Sequence, residues 1–140
     1  MRRIVLDTNC LLMCLPRISR YRVVWDGFIN GDITLCVSNE IIEEYYEVIA
    51  RNVDPEVATH VINLILSSRS NVALVNPYYH FNLIQSDPDD NKFTDCAIAG
   101  QAQLLVSNDK HFRILDEIPF PKVHVARLDD YVQLYLSDKR

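Results

Sequence analysis

The stretch Arg3-Ile4-Val5-Leu6-Asp7-Thr8-Asn9 decides how this chain is read. A short apolar strand runs straight into a carboxylate, a hydroxyl and an amide. On this stretch alone Asp7 has two readings. It can cap the short helix that follows, as Asp often does, or it can be one wall of a cation site on which later carboxylates converge.

Working outward, the chain alternates strands and helices. Strand one covers 3–6, and the apolar run Cys10 to Leu15 forms a short helix stopped by Pro16. A basic loop, Arg17 to Arg22, leads to a helix over Val23 to Phe28, ended by Asn30-Gly31. Ile33 to Val37 is apolar and β-branched, as a buried strand should be. Ser38 or Asn39 then caps a helix reaching about Asn52, and Asp54-Pro55 opens another that ends near Ser67 or Ser68. A third strand spans Val72 to Val75. The irregular connection Asn76 to Asp90 precedes a helix over Asn91 to Gln103, a strand over Leu104 to Ser107 and a short helix over Lys110 to Leu115. Strand five (Val123 to Ala126) and a last helix from Leu128 follow. Such alternation implies crossover connections and a mainly parallel sheet covered on both faces. Ligands of such sheets bind outside the carboxyl ends of the strands. Asp7, Ser38 and Asp109 all directly follow strands, so all three are expected on one rim.

A length of 140 residues favours one domain, here 1–140. The composition, 49% hydrophobic and 24% charged, supports a real core. Asp7 and Asn9 interrupt the apolar run behind Arg2 and Arg3, no small-residue cleavage site follows, and no stretch approaches the ~20 apolar residues of a membrane span. The four cysteines form no Cys-x-x-Cys pair. They read as reduced, buried thiols, consistent with a cytoplasmic protein. A formal net charge of −5 argues against coating nucleic acid by bulk attraction, but not against an enzyme that gathers carboxylates to hold cations.

Helical periodicity sorts those carboxylates. Between Ser38 and Asn52, the residues Ile41, Ile42, Tyr45, Val48 and Ile49 form the buried stripe. Glu40, Glu43 and Glu47 fall away from it, whereas Glu44 lies roughly 40° from Val48 and 60° from Ile41 at about 100° per residue. Glu44 is therefore the acid held against the body of the protein. In the following acidic region, Asp95 sits among small residues on a helix packed on the sheet, where a charge is costly unless paired or bound to metal. Asp90 can cap that helix, face the site, or do both. Asp87 and Asp89 read as turn chemistry around Pro88. Several carboxylates on one rim repel one another and are stable together only when cations neutralise them. All-oxygen ligation selects Mg²⁺ or Mn²⁺. One or two such ions suit phosphodiester hydrolysis.

With these residues in view, the chain resembles the PIN domain, most closely its VapC-like branch of toxin ribonucleases from toxin–antitoxin pairs. The resemblance rests on Leu6-Asp7-Thr8-Asn9, on Glu44 within Ile41-Ile-Glu-Glu-Tyr-Tyr-Glu-Val-Ile49, on Asp87-Pro-Asp-Asp-Asn-Lys-Phe-Thr-Asp95-Cys-Ala97, and on Leu104-Leu-Val-Ser-Asn-Asp-Lys-His-Phe112. It covers essentially the whole chain. It implies a three-layer Rossmann-like α/β/α sandwich and a Mg²⁺- or Mn²⁺-dependent endoribonuclease. Asp7, Glu44, Asp95 and Asp109 would be the catalytic, metal-coordinating acids, with Asp90 as a further ligand or a supporting acid. Thr8 and Asn9 would steady Asp7 or its water, and Ser107 would do the same for Asp109. Ser107-Asn-Asp stands where many relatives have Thr-x-Asp, and the hydroxyl is kept. An RNA substrate, a small antitoxin and a homodimer are the implied partners.

Arg17, Arg20 and Arg22 in the basic loop, with Lys92, Lys110 and His111 beside the acidic motifs, are candidates to contact substrate phosphates. Tyr78, Tyr79 and Phe81 are expected to pack on the core rather than stack bases. The alternative function is a non-catalytic or RNA-processing nucleic-acid-binding module. A phosphatase forming an aspartyl-phosphate usually has a second Asp two residues after the first, where this chain has Asn9. No Gly-rich turn after strand one supports a dinucleotide site.

Overall fold

The computed structural model describes residues 2–138; both ends of the expected 1–140 unit lie outside that range. Five parallel strands form one sheet: β1 (Arg3–Leu6), β2 (Thr34–Val37), β3 (Val72–Leu74), β4 (Leu104–Val106) and β5 (Val125–Ala126), in the order β3-β2-β1-β4-β5. The helices are α1 (Thr8–Cys14), α2 (Arg22–Ile29), α3 (Asn39–Asn52), α4 (Pro55–Ser67), α5 (Asn91–Ala99) and α6 (Leu128–Asp138). Because the order runs from β1 out to β3 and then returns past β1 to β4, right-handed crossovers put α1–α4 on one face and α5 on the other. The expected α/β/α sandwich results.

β1 is central, and Ile4, Val5 and Leu6 are buried, as a strand covered on both faces requires. α3 starts where expected, with Ser38 Oγ accepting from Ile41 N at 3.2 Å. α4 starts at Pro55 behind an Asp54 cap that accepts from Glu56 N at 2.6 Å. α5 and β5 are shorter than their sequences suggest by more than one residue. α5 stops at Ala99, with Gly100 as its C-cap and Gln101 at φ 53°, so the chain turns into β4 before Gln103. β5 keeps only two paired residues. The segment from Lys110 is a 3₁₀ turn that runs to Glu117 rather than an α-helix.

Tyr45, fully buried on α3, donates its hydroxyl to the carbonyl of Leu6 at the end of β1. Glu44 precedes Tyr45 and Asp7 follows Leu6, so the bond ties together the two elements that carry these acids. Tyr45→Phe is expected to cost about 1–2 kcal/mol, read as a lower urea midpoint with unchanged m-value.

Candidate metal centre

The parallel register brings Leu6 opposite Val106, so the next residues, Asp7 and Ser107, emerge side by side from β1 and β4. Asp7 N donates to the Val106 carbonyl at 3.0 Å, and Ser107 Oγ donates to Asp7 Oδ2 at 2.5 Å. The same Ser107 oxygen accepts from Asp109 N at 3.0 Å. One hydroxyl thus ties both strand-end acids, where the sequence suggested it would serve Asp109 alone. Asp7 is also the cap of α1, accepting from Asn9 N at 3.1 Å. Its two readings are compatible. Burial raises the proton affinity of Asp7; hydrogen bonds from Ser107 and Asn9 oppose this, and the charges of Asp109 and Glu44 reinforce it.

Glu44 is half-buried, while Glu40, Glu43 and Glu47 are exposed, as the helical wheel requires. Thr8 donates its hydroxyl to Glu44 Oε2, so it steadies Glu44 rather than Asp7. Lys92 Nζ donates to Glu44 Oε1 at 2.7 Å and reaches Asp89 Oδ1 at 3.1 Å. Burial works against the Lys92 charge, but its bonds to Glu44 and Asp89 outweigh that and raise its proton affinity. Lys92 is an internal counter-ion of the acid centre.

Asp90 joins this group. It occupies the cap position of α5 without making a side-chain cap bond. Burial, together with the charges of Asp87, Asp109 and Asp7, pushes its carboxyl up to about 6. His111 Nδ1 lies 3.2 Å from Asp109 Oδ1, 3.5 Å from Asp90 Oδ2 and 3.9 Å from Asp87 Oδ2. Asp90 Oδ2 and His111 Nδ1 are buried atoms without a well-formed hydrogen bond among the described residues. Asp87, Asp90 and His111 present ligand atoms within 4.8 Å of one another. Asp87, expected only as turn chemistry, both caps the 3₁₀ turn Pro88–Asp90 and faces the site.

The folded chain holds the Asp90 proton more tightly than an unfolded chain does, so ionising Asp90 costs stability. That cost is absent well below pH 3.8, grows as pH rises, and is complete above about 6. Metal-free Asp90→Asn protein is therefore expected to melt above wild type at pH 7.5, by roughly 1 kcal/mol after allowance for solvent screening. The gap should narrow as pH falls toward 4 in parallel thermal melts. An equal gap at both pH values would contradict the assignment.

Asp95 is placed differently. Five residues apart at about 100° each, Asp90 and Asp95 are about 140° apart around α5 and face different neighbours. Asp95 is held at 3.1 Å from His80 Nδ1 and accepts from Phe81 N at 3.2 Å. Asn91, one turn earlier on the same face, accepts from Ile84 N at 2.9 Å and donates to Ile84 O at 2.8 Å. This face of α5 clamps the long connection from β3. That divergence was available from the helical wheel; the approach of His80 was not, because the connection carries no periodicity. Tyr78 is fully exposed and Tyr79 largely so, against the expectation of core packing, while Phe81 is half-buried and meets Tyr79 edge-on at 4.6 Å.

Two of the three basic-loop arginines have protein partners. Arg20 pairs with Asp129 at 2.8 Å. Arg22 pairs with Asp26 at 3.0 Å and donates to Leu15 O. Arg17 and Arg22 line a groove with Trp25, Asp26, His60 and Leu64 that holds none of Asp7, Glu44, Asp90, Asp95 and Asp109. Lys110 is exposed beside Asp109. Ser38 is a helix cap that also lines a cavity with Asp95 and Lys92. Asn9 is exposed and lines a depression with Asp7, Asn108 and Asp109. All four cysteines are free and buried. Burial pushes the thiols of Cys10, Cys14 and Cys96 up to about 12, which leaves them inert. No helix among the described residues is long and apolar enough to cross a membrane.

No curated protein matches the chain. Among solved structures, it is similar to a chain of VapBC2 from Rickettsia felis, seen bound to a DNA fragment from its promoter. That match has a TM-score of 0.61 at 16% identity, over 89% of this chain and 98% of the other. It is similar also to a chain of DNA-bound VapBC from Salmonella typhimurium, with a TM-score of 0.60 at 17% identity over 91% and 99% of the two chains. At these identities the likeness establishes the fold. A family model of the PIN domain matches residues 3–111, from the strand that delivers Asp7 to the histidine beside Asp109, and the chain belongs to the PIN domain family.

Proposed function

We propose that this protein is a Mg²⁺- or Mn²⁺-dependent endoribonuclease, acting as the toxin of a toxin–antitoxin pair. The observation that carries this reading is the meeting of Asp7, Glu44, Asp90 and Asp109, delivered by four separate elements. Burial and mutual repulsion hold Asp7 and Asp90 above the usual carboxylate range. A folded chain maintains such a cluster at a stability cost that a cation relieves. The donor set fits a hard cation: the four side chains offer oxygen only, and Asp90 Oδ2 is buried without a hydrogen-bond partner among the described residues.

In this proposal Asp7, Glu44, Asp90 and Asp109 hold one or two ions. Asp95, expected among them, has both oxygens engaged beside His80 and is left out of the ligand set. When bound, the ions lower the pKa of water and offset charge on the phosphate. Ser107 keeps Asp7 and Asp109 aligned, Thr8 orients Glu44, and Lys92 balances Glu44 until a cation or a phosphate competes for it. His111 Nδ1 gives the Asp87 and Asp90 side a nitrogen donor, which favours Mn²⁺ over Mg²⁺ there. A small antitoxin and a homodimer belong to the same proposal, drawn from the VapBC likeness.

The test is incubation of purified protein with a labelled single-stranded RNA and Mg²⁺ or Mn²⁺, with chelator and Asp7→Asn controls. Metal-dependent cleavage by wild type alone is expected. RNA binding without cleavage, indifferent to metal, would instead support the non-catalytic module.

A further inference from the structure

His80 stands at the edge of a cavity of about 160 Å³, lined also by Ser38, Asn82, Asn91, Lys92 and Asp95. Lys92 lines this cavity and also bonds to Glu44, so the cavity adjoins the acid centre. The His80 side chain is 60% exposed, while the Asp95 side chain against it is 4% exposed. An ionised carboxylate only accepts hydrogen bonds. Asp95 therefore keeps a hydrogen on His80 Nδ1, and a neutral imidazole so held presents Nε2 as an acceptor. In that neutral form the ligand it suits is a donor.

Phosphate and ring oxygens of a nucleic-acid backbone only accept; the ribose 2′-hydroxyl also donates, and it is the group that separates RNA from DNA. Exposed Tyr78 and Tyr79 beside His80 in sequence suit a strand with unstacked bases. We propose that His80, positioned by Asp95, accepts a hydrogen bond from a ribose 2′-hydroxyl near the scissile phosphate and is a determinant of RNA over DNA. This rests on the ribonuclease reading above. Asp95 acts through His80 and is a positioning residue.

The test uses the full chain, a short RNA that wild type cleaves, and versions of it carrying single 2′-deoxy nucleotides. His80→Ala is expected to raise KM about fivefold with kcat kept, the value of one ordinary hydrogen bond. One 2′-deoxy position should cost wild type a similar factor and cost His80→Ala nothing further. Asp95→Asn should raise KM in wild type and add nothing in the His80→Ala background, a coupling that a purely structural clamp would not produce. A wild-type KM in His80→Ala, or equal losses on RNA and on its 2′-deoxy versions, would overturn the inference; the second result would point to a base contact. Failure of the ribonuclease reading itself appears separately, as no cleavage by wild type. In that event fluorescence anisotropy with RNA and DNA of one sequence decides. Loss of RNA preference in His80→Ala supports the inference, and an unchanged preference, or none in wild type, overturns it.

Discussion

Asp7→Asn is expected to remove metal-dependent RNA cleavage by a factor of at least about 10³ while leaving the fold intact. The substitution takes away the carboxylate that sits between Ser107 and the charges of Asp109 and Glu44. Cation stabilisation of transition-state charge amounts to several kcal/mol, and each 1.36 kcal/mol is about tenfold in rate. Asn can still accept from the Asn9 N–H, so the cap of α1 survives. A buried acid with raised proton affinity is also removed, so the metal-free variant should melt no lower than wild type at neutral pH. Wild type should gain about 2.7 kcal/mol of stability at a hundredfold excess of Mn²⁺ over its Kd, and the variant far less. Single-turnover cleavage and thermal melts with and without Mn²⁺ measure both effects. Cleavage by the variant within tenfold of wild type would remove Asp7 from the ligand set.

Phe112→Ala should give the largest loss of stability, about 3–5 kcal/mol by urea denaturation. Phe112 is fully buried and meets Phe93 of α5 nearly edge-on, with ring centroids 6.5 Å apart. These two rings adjoin site residues in sequence: Phe112 follows His111, and Phe93 follows Lys92. The pair joins the turn carrying Asp109 and His111 to the helix behind Asp90. Its loss therefore loosens the acid centre as well as the core. Phe112→Leu should keep most of the volume and cost less than about 1.5 kcal/mol. A Phe112→Ala loss below 1 kcal/mol would mean that the turn is not anchored by this contact.

Much of this architecture is readable from local chemistry. The apolar runs, the caps at Ser38 and Asp54 and the stop at Gly31 concern residues a few positions apart, so their outcome hardly depends on the rest of the fold. Asp7 and Asp109 were readable for the same reason: each lies just past the carboxyl end of a buried strand, where parallel sheets carry ligands. Glu44 was readable from the phase of a single helix. The family resemblance carried by these motifs agrees with the PIN model match.

Other features depend on how distant segments meet. That Ser107 serves Asp7 follows from strand register, which pairs residues a hundred positions apart. That Lys92 neutralises Glu44 follows from the packing of α5 beside α3. The long connection after β3 has no hydrogen-bond ladder to reveal its course, so the meeting of His80 with Asp95 was hidden, and so was the approach of Asp87 to His111. Asp7 could be recognised as a candidate from its own strand, because strand ends are a local property. The side chains that meet it are placed by register, helix phase and a loop clamped by α5, because side-chain convergence is a property of three-dimensional packing.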